Sequence, residues 1–182
     1  REQAIEALET RDSATGLYNQ KGFTEKLDTW LSDGRGSVML FYFSIEGYNQ
    51  AARMIGTGQE AAFLESIPKR LNEYIHSSFL AAYLGAGSFI LALREEMNGN
   101  QQEDFAKGLS IELLLKVQIN GEKNFLLARY QYRRCQPGSG RAEEEIEALL
   151  RSYYNEVMQE SPIRRMTEKC EQLIEGNNNV VF

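Results

Sequence analysis

Residues 81–93, Ala-Ala-Tyr-Leu-Gly-Ala-Gly-Ser-Phe-Ile-Leu-Ala-Leu, decide the fold class of this chain. Two short apolar segments flank Gly85, Ala86, Gly87 and Ser88, which predicts a β-hairpin with strands near 79–84 and 88–94. Glycine accepts backbone conformations that other residues avoid, and it lets a ligand approach the backbone closely. The loop contains no acid, base or thiol, so the sequence predicts the shape of a site without its chemistry.

Upstream of the hairpin, the continuous apolar run Val38–Ile45 predicts a strand buried on both faces. A second strand is predicted at 124–133, after an Asn120-Gly121 turn. Helical periodicity predicts six helices. Three are given by their ranges: 1–10, 101–116 and 161–175. The other three are recognised by an apolar face, which consists of Phe23, Leu27, Trp30 and Leu31 in the first, Leu64, Ile67, Leu71 and Ile75 in the second, and Ile146, Leu149, Leu150, Tyr153 and Val157 in the third.

The order of these elements predicts an α/β fold with a central, mostly antiparallel sheet flanked by helices. A break at Gly56 and Gly58 is expected to precede the helix of Leu64, and Pro68 should kink or split that helix. We expect three parts: a linker helix at 1–11, a domain at 12–160, and a helix and tail at 161–182.

Composition excludes several function classes. The 182 residues are 42% hydrophobic, which suits one ordinary domain, and the net charge of −6 leaves no basic face for nucleic acid. No apolar run is long enough to span a membrane, so we expect no membrane contact by this segment. Cys135 and Cys170 lie far apart without metal-binding spacing, which indicates reduced thiols in a cytoplasmic protein. Because the chain starts at Arg1 inside a helix-prone segment, we expect a piece of a longer protein.

Three segments resemble motifs of GGDEF domains, the diguanylate cyclases. Residues 11–23, Arg-Asp-Ser-Ala-Thr-Gly-Leu-Tyr-Asn-Gln-Lys-Gly-Phe, resemble Asp-x-Leu-Thr-Gly-Leu-x-Asn-Arg-x-x-Phe, with departures at Ala14 and Gln20. Residues 44–49 resemble Asp-x-Asp-x-Phe-Lys, and residues 85–89 lie where Gly-Gly-Asp/Glu-Glu-Phe belongs. The resemblance covers about residues 11–158 and implies a fold similar to that of class III nucleotide cyclases.

The resemblance also implies which positions carried chemistry. In the family, two GTP-loaded domains meet, and carboxylates hold the magnesium that stabilises the transferred phosphate. The metal positions correspond to Ser44, Glu46, Gly87 and Ser88, of which only Glu46 is a carboxylate. The altered signature loop is Gly85, Ala86, Gly87, Ser88 and Phe89. We therefore expect no catalytic residue, no metal site, and neither magnesium nor GTP binding.

Guanine recognition is also expected to be lost. The base-reading positions of the family correspond to Ala52 and Ala61, which have no hydrogen-bonding side chain. The product-inhibition motif Arg-x-x-Asp would fall at His76 and Phe79, so it is absent.

These losses predict a catalytically inactive GGDEF-like module with a regulatory or dimerisation role in a multidomain bacterial cyclic di-GMP signalling protein. Its expected partners are a second copy, bound through the N-terminal helix, and other domains of its own chain, such as a phosphodiesterase-like output; nucleic acid is not expected to bind. An alternative is a sensor that binds a nucleotide without turnover. A third reading is an active cyclase with unusual ligands that relies on Glu46 alone.

Overall fold

A computed structural model describes residues 1–138 and 140–160, apart from the side chains of residues 57–61 and 63. The elements in chain order are α1 (Glu2–Thr10), α2 (Gln20–Ser32), β1 (Val38–Ile45), α3 (Tyr48–Ile55), α4 (Thr57–Tyr74), β2 (Phe79–Gly85), β3 (Ser88–Leu93), α5 (Gly99–Glu112), β4 (Leu115–Ile119), β5 (Glu122–Leu126), β6 (Ala128–Cys135) and α6 (Ala142–Glu160).

Four strands form the central sheet in the order β2-β3-β1-β6, and every pairing in it is antiparallel. A separate two-stranded sheet consists of β4 and β5. Helices cover both faces of the central sheet, so the predicted α/β fold with an antiparallel sheet is confirmed. The predicted hairpin corresponds to β2 and β3, which are joined at Ala86 and Gly87.

Strand β1 separates two hydrophobic cores. Phe41 and Phe43 point into the core that contains α4 and α5, whereas Leu40 and Tyr42 point into the core that contains α2 and α6. All four side chains are buried, which confirms the prediction of a strand covered on both faces. Because the two faces pack against different cores, a one-residue shift in strand register would place every side chain of β1 in the opposite core, so packing fixes the position of the strand's end.

The region between α5 and β6 differs from the prediction. Helix α5 ends at Glu112 rather than at 116, and residues 115–126 form a hairpin that the sequence analysis did not predict. Its first strand alternates buried Leu115 and Val117 with exposed Lys116, which is a period of two rather than a helical period. The predicted strand at 124–133 is accordingly two strands, β5 and β6.

Helix α4 runs unbroken through Pro68, so of the two expected outcomes, a kink or a split, the split is ruled out. Gly58 lies inside the helix, and the break falls at Gly56 alone, where φ is +91°. Leu64, Ile67 and Leu71 are buried around Pro68, and this packing holds the helix together despite the missing N–H. The predicted helix 161–175 and Cys170 lie outside the described residues. No helix in the described part of the chain is long and apolar enough to cross a membrane.

Candidate functional site

The hairpin turn has an unusual backbone. Ala86 and Gly87, its two central residues, have φ values of +51° and +75°, and Gly85 before them has a φ of +89°. Positive φ at both central residues is the geometry of the tight turns that match the twist of a β-hairpin. Ala86 pays for this conformation with backbone strain that a glycine would avoid. The backbone of this turn therefore keeps the conformation of a tight β-hairpin even though Ala86 is strained in it.

Gly87 is enclosed on three sides. Its N–H donates to the Tyr83 hydroxyl at 3.1 Å, and its carbonyl accepts from the Ile45 N–H at 3.0 Å. A Cβ added at Gly87 would lie 2.6 Å from Cγ of Tyr48, which is closer than carbon atoms approach. Tyr48 itself is buried. A side chain at position 87 would therefore require both a strained backbone and displacement of the Tyr48 ring.

The two serines of the site face each other across the sheet. Ser44 pairs with Ser88 on β3 and with Arg129 on β6. The Tyr42 hydroxyl donates to Oγ of Ser88 at 3.1 Å. Burial raises the pKa of Tyr42 to about 12, although its hydrogen bond to Ser88 lowers it. This corner of the sheet thus contains neutral hydroxyl groups.

Tyr153 of α6 packs over the same corner. Its ring meets that of Tyr42 edge-on, with centroids 4.8 Å apart. Burial raises the pKa of Tyr153, while a side-chain hydrogen bond with Ser44 and the charge of Arg129 lower it. The aromatic ring shields the serines from one side.

Glu46 forms an ion pair with Arg129. Nε of Arg129 lies 3.2 Å from Oε1 of Glu46, and the same guanidinium forms an ion pair with Glu160 at the end of α6. Burial would lower the pKa of Arg129, but the Glu160 hydrogen bond and the charges of Glu160 and Glu46 raise it overall. The one carboxylate at the implied metal positions is thus already paired with a cation.

A surface cleft of about 420 Å³ lies between the end of β1 and the start of α3, and we call it the β1–α3 cleft. Its lining includes Ser44, Glu46, Arg53, Ala86, Arg129 and Tyr153. Within the described residues, no group of three or more His, Cys, Asp or Glu side chains could hold a metal ion. The cleft is lined by two cations, Arg53 and Arg129, and by the carboxylate of Glu46, and neither serine hydroxyl has a histidine to activate it.

The sequence profile described as "Diguanylate cyclase, GGDEF domain" matches residues 9–156, which is most of the chain. The chain belongs to the GGDEF domain family. None of the curated protein sequences is significantly similar to it.

Solved GGDEF structures share the fold at low sequence identity. A sensory box/GGDEF family protein from Caulobacter crescentus is 20% identical with a TM-score of 0.64, over 80% of this chain and 99% of that chain. The GGDEF domain of YfiN from Pseudomonas aeruginosa is 15% identical with a TM-score of 0.68, over 83% and 90%. The coiled coil and GGDEF domain of DgcB from Caulobacter crescentus, solved with c-di-GMP, is 17% identical with a TM-score of 0.66, over 84% and 82%.

The two alanines predicted at guanine-reading positions lie on neighbouring helices of this GGDEF domain. Ala52 is half-buried on α3 and, with Tyr48 and Leu126, lines a narrow apolar pocket. Ala61 lies on α4, and its side chain is outside the described set. His76 is exposed after α4, and Phe79 begins β2. The side chain of Ala52 thus faces hydrocarbon rather than hydrogen-bonding groups.

The roles of Tyr42, Tyr48 and Arg129 do not follow from any local sequence pattern. Tyr48 is a buried residue in the wall of the β1–α3 cleft, and its contact with Gly87 depends on how α3 packs against the turn between β2 and β3. Arg129 is the second residue of β6, which follows an unpredicted hairpin, so no local pattern placed it opposite Ser44. Their roles follow from tertiary pairing.

Proposed function

We propose that this GGDEF domain does not synthesise cyclic di-GMP and acts as a regulatory and dimerisation module in a multidomain bacterial signalling protein. The observation that carries the proposal is the contact between Gly87 and Tyr48. The family's signature has an acid where this chain has Gly87, and the buried Tyr48 ring occupies the place that its Cβ needs. The loss therefore involves the packing beneath the loop as well as one side chain.

The donor set also argues against a magnesium site. Magnesium prefers hard, charged oxygen ligands, whereas Ser44 and Ser88 supply neutral hydroxyls and Gly87 supplies no side chain. Arg129 lies across the sheet from Ser44 and holds Glu46, so a divalent cation arriving there would meet a fixed positive charge. The reading in which Glu46 alone supports an active cyclase is the least compatible with this pairing.

The activity test is an incubation of the purified chain with GTP and either magnesium or manganese, followed by chromatographic detection of cyclic di-GMP. An active diguanylate cyclase in the same buffer serves as the control. We expect product from the control and none from this chain after prolonged incubation. Turnover that rises with the concentration of this chain would overturn the proposal.

We further propose that two copies associate through α1. No residue of α1 is buried, and the apolar side chains of Ile5 and Leu8 are 56% and 83% exposed. These two residues lie three apart and so share one side of the helix. The solved DgcB structure contains a coiled coil together with its GGDEF domain, which supports a helical contact between copies. Analytical ultracentrifugation of Ile5→Glu/Leu8→Glu should show loss of self-association relative to the unchanged chain; equal association would exclude α1 as the contact.

We also propose that the parent protein places this domain in the cytoplasm beside other signalling domains, including a phosphodiesterase-like output. The name of one solved relative, a diguanylate cyclase/phosphodiesterase from Caldicellulosiruptor saccharolyticus, combines the two activities. Co-purification of the domain with its flanking segments, and assay of any phosphodiesterase activity with and without it, tests this placement. A phosphodiesterase whose rate is independent of the domain would contradict the regulatory role.

Nucleotide binding without turnover is the second candidate function. The β1–α3 cleft favours it because Arg53 and Arg129 line it and the first turn of α3 lies at its edge, where backbone N–H groups attract anions. Calorimetry with GTP, ATP and cyclic di-GMP separates the two proposals. Heat of binding with any of these ligands would support nucleotide sensing. No heat at millimolar ligand would exclude it, and the proposal of a regulatory and dimerisation module would then stand alone.

A further inference from the structure

Side-chain contacts at three positions along the last two turns of α6 hold this part of the helix against the sheet. The ring of Tyr153 packs edge-on against Tyr42 of β1. Nε2 of Gln131 donates to Oε2 of Glu156 at 3.0 Å. Arg129 forms an ion pair with Glu160, the final residue of α6.

Arg129 differs from the other ties because it has two acidic partners on different elements. Glu46 follows β1 and lines the β1–α3 cleft, whereas Glu160 ends α6. The side chains of Glu46 and Glu160 are 55% and 56% exposed, and that of Arg129 is 29% exposed. The guanidinium is thus the less solvated member, and its planar array of donors can hold two carboxylates at once.

This arrangement couples the two acids electrostatically. Without Arg129, two negative charges would converge on one place and repel each other. With Arg129 present, the ion pair to one carboxylate helps to fix the position of the guanidinium. The strength of the ion pair to the other carboxylate therefore depends on the first. The geometry creates a physical link between the floor of the cleft and the end of α6.

We propose that Arg129 is a latch that couples the β1–α3 cleft to the C-terminal end of α6 through simultaneous ion pairs with Glu46 and Glu160. An occupant of the cleft that takes up Arg129 frees Glu160, and the last turn of α6 loosens. The latch deepens the proposed regulatory role, on which it rests. Through it, binding in the cleft would change the order of the C-terminal end of α6 without any catalysed reaction.

The first test is hydrogen exchange of the α6 backbone in the whole chain, compared between the unchanged protein and Arg129→Gln. Exposed ion pairs contribute modestly, so we expect amides of residues 157–160 to exchange about two- to fivefold faster in the variant. Arg151→Gln is the matched control, because Arg151 pairs with Glu147 at 2.9 Å on the same helix but does not reach the cleft. Faster exchange in the control of the same size and place, or no change in Arg129→Gln, would overturn the latch.

The second test measures the coupling itself. Glu46→Gln, Glu160→Gln and the double variant form a cycle, with exchange at residues 157–160 as the readout. We expect the double variant to differ by about twofold or more from the product of the two single effects, and we expect this difference to vanish in the Arg129→Gln background. Multiplicative effects with Arg129 present would show that the two ion pairs are independent, which overturns the proposal. Neither outcome bears on cyclic di-GMP synthesis, so failure of the latch is distinguishable from failure of the proposed function.

Discussion

At the scale of single residues, two glycines of one turn offer a controlled comparison. Gly85 and Gly87 both have positive φ, but a Cβ at Gly85 would meet nothing within 4 Å, whereas one at Gly87 would strike Tyr48. The backbone penalty is therefore shared, and the steric penalty belongs to Gly87 alone.

We predict that Gly85→Ala lowers the free energy of unfolding by about 1–2 kcal/mol through its positive φ. Gly87→Ala should cost a further 1–3 kcal/mol or so, because overpacking forces the Tyr48 ring to move. Urea denaturation of the two variants checks the difference between them. Equal losses would mean that Tyr48 yields without cost, and the packing explanation for the altered loop would then be wrong.

Tyr42 predicts a dependence of stability on alkaline pH. Its pKa is raised to about 12 in the folded protein from an ordinary value of 10, so the folded state holds its proton more tightly than the unfolded state. This contribution is fully present below pH 10 and is lost as the pH rises towards 12, a change of about 2–3 kcal/mol for two pKa units.

Tyr42→Phe should therefore flatten the fall in unfolding free energy between pH 10 and pH 12. Denaturation curves across that range provide the measurement. Tyr18→Phe, at a half-buried position bridged to β2, serves as the control for the loss of a phenol hydroxyl elsewhere in the domain. A Tyr42→Phe variant that loses stability as steeply as the unchanged protein would refute the assignment.

At the scale of elements, Pro68 should be a source of instability within α4. Proline in a helix interior costs about 3 kcal/mol relative to alanine, since it removes one N–H and crowds the preceding turn. We predict that Pro68→Ala raises the free energy of unfolding by about 1–3 kcal/mol, measured by thermal and urea denaturation. Lys69→Ala on the exposed side should change it by less than about 0.5 kcal/mol. A loss of stability in Pro68→Ala would show that the helix is shaped around the proline.

The sequence was sufficient for elements with a strong local pattern. The all-apolar run of β1, the glycine turn after β2 and the leucine spacing of α2 each predicted the observed element. It was insufficient for β4 and β5, because five-residue strands next to a helix present too few positions to separate a period of two from a helical period. The Asn120-Gly121 turn was recognised, yet its second strand was merged with β6 because no glycine or proline marks the boundary at Leu127.

The candidate site divides in the same way. The positions of the altered loop, Ser44 and Glu46 could be read from motifs and spacing. Two contacts could not be predicted: that of Tyr48 with Gly87 and the ion pair of Arg129 with Glu46. Both arise where β1, β3 and β6 lie side by side, so they depend on tertiary structure and not on any local stretch of sequence.

At the scale of the whole molecule, α1 stands apart from the body of the domain. Every residue of 1–9 is exposed, and the helix is joined to α2 by contacts such as the Asn19 side chain donating to the Glu9 carbonyl at 2.8 Å. Both cores lie entirely within residues downstream of α1.

We predict that deletion of residues 1–8 changes the free energy of unfolding by less than about 1 kcal/mol, because none of these residues is buried and little apolar area is lost. The same deletion should abolish self-association if α1 is the contact between copies. Denaturation at low protein concentration and sedimentation at high concentration separate the two effects. A large loss of stability at low concentration would show that α1 is part of the folded body.

The enclosed Gly87 makes the order of substitutions matter in any attempt to rebuild a metal-binding loop. An acid introduced first at position 87 clashes with the Tyr48 ring and lowers the stability of the domain. If Tyr48 is first replaced by a smaller residue, space opens for the same acid, although the first step alone leaves a cavity under the turn. Each single substitution lowers stability, so the effects of the two positions should be strongly non-additive, and any route to an acidic loop passes through a less stable intermediate whichever residue changes first.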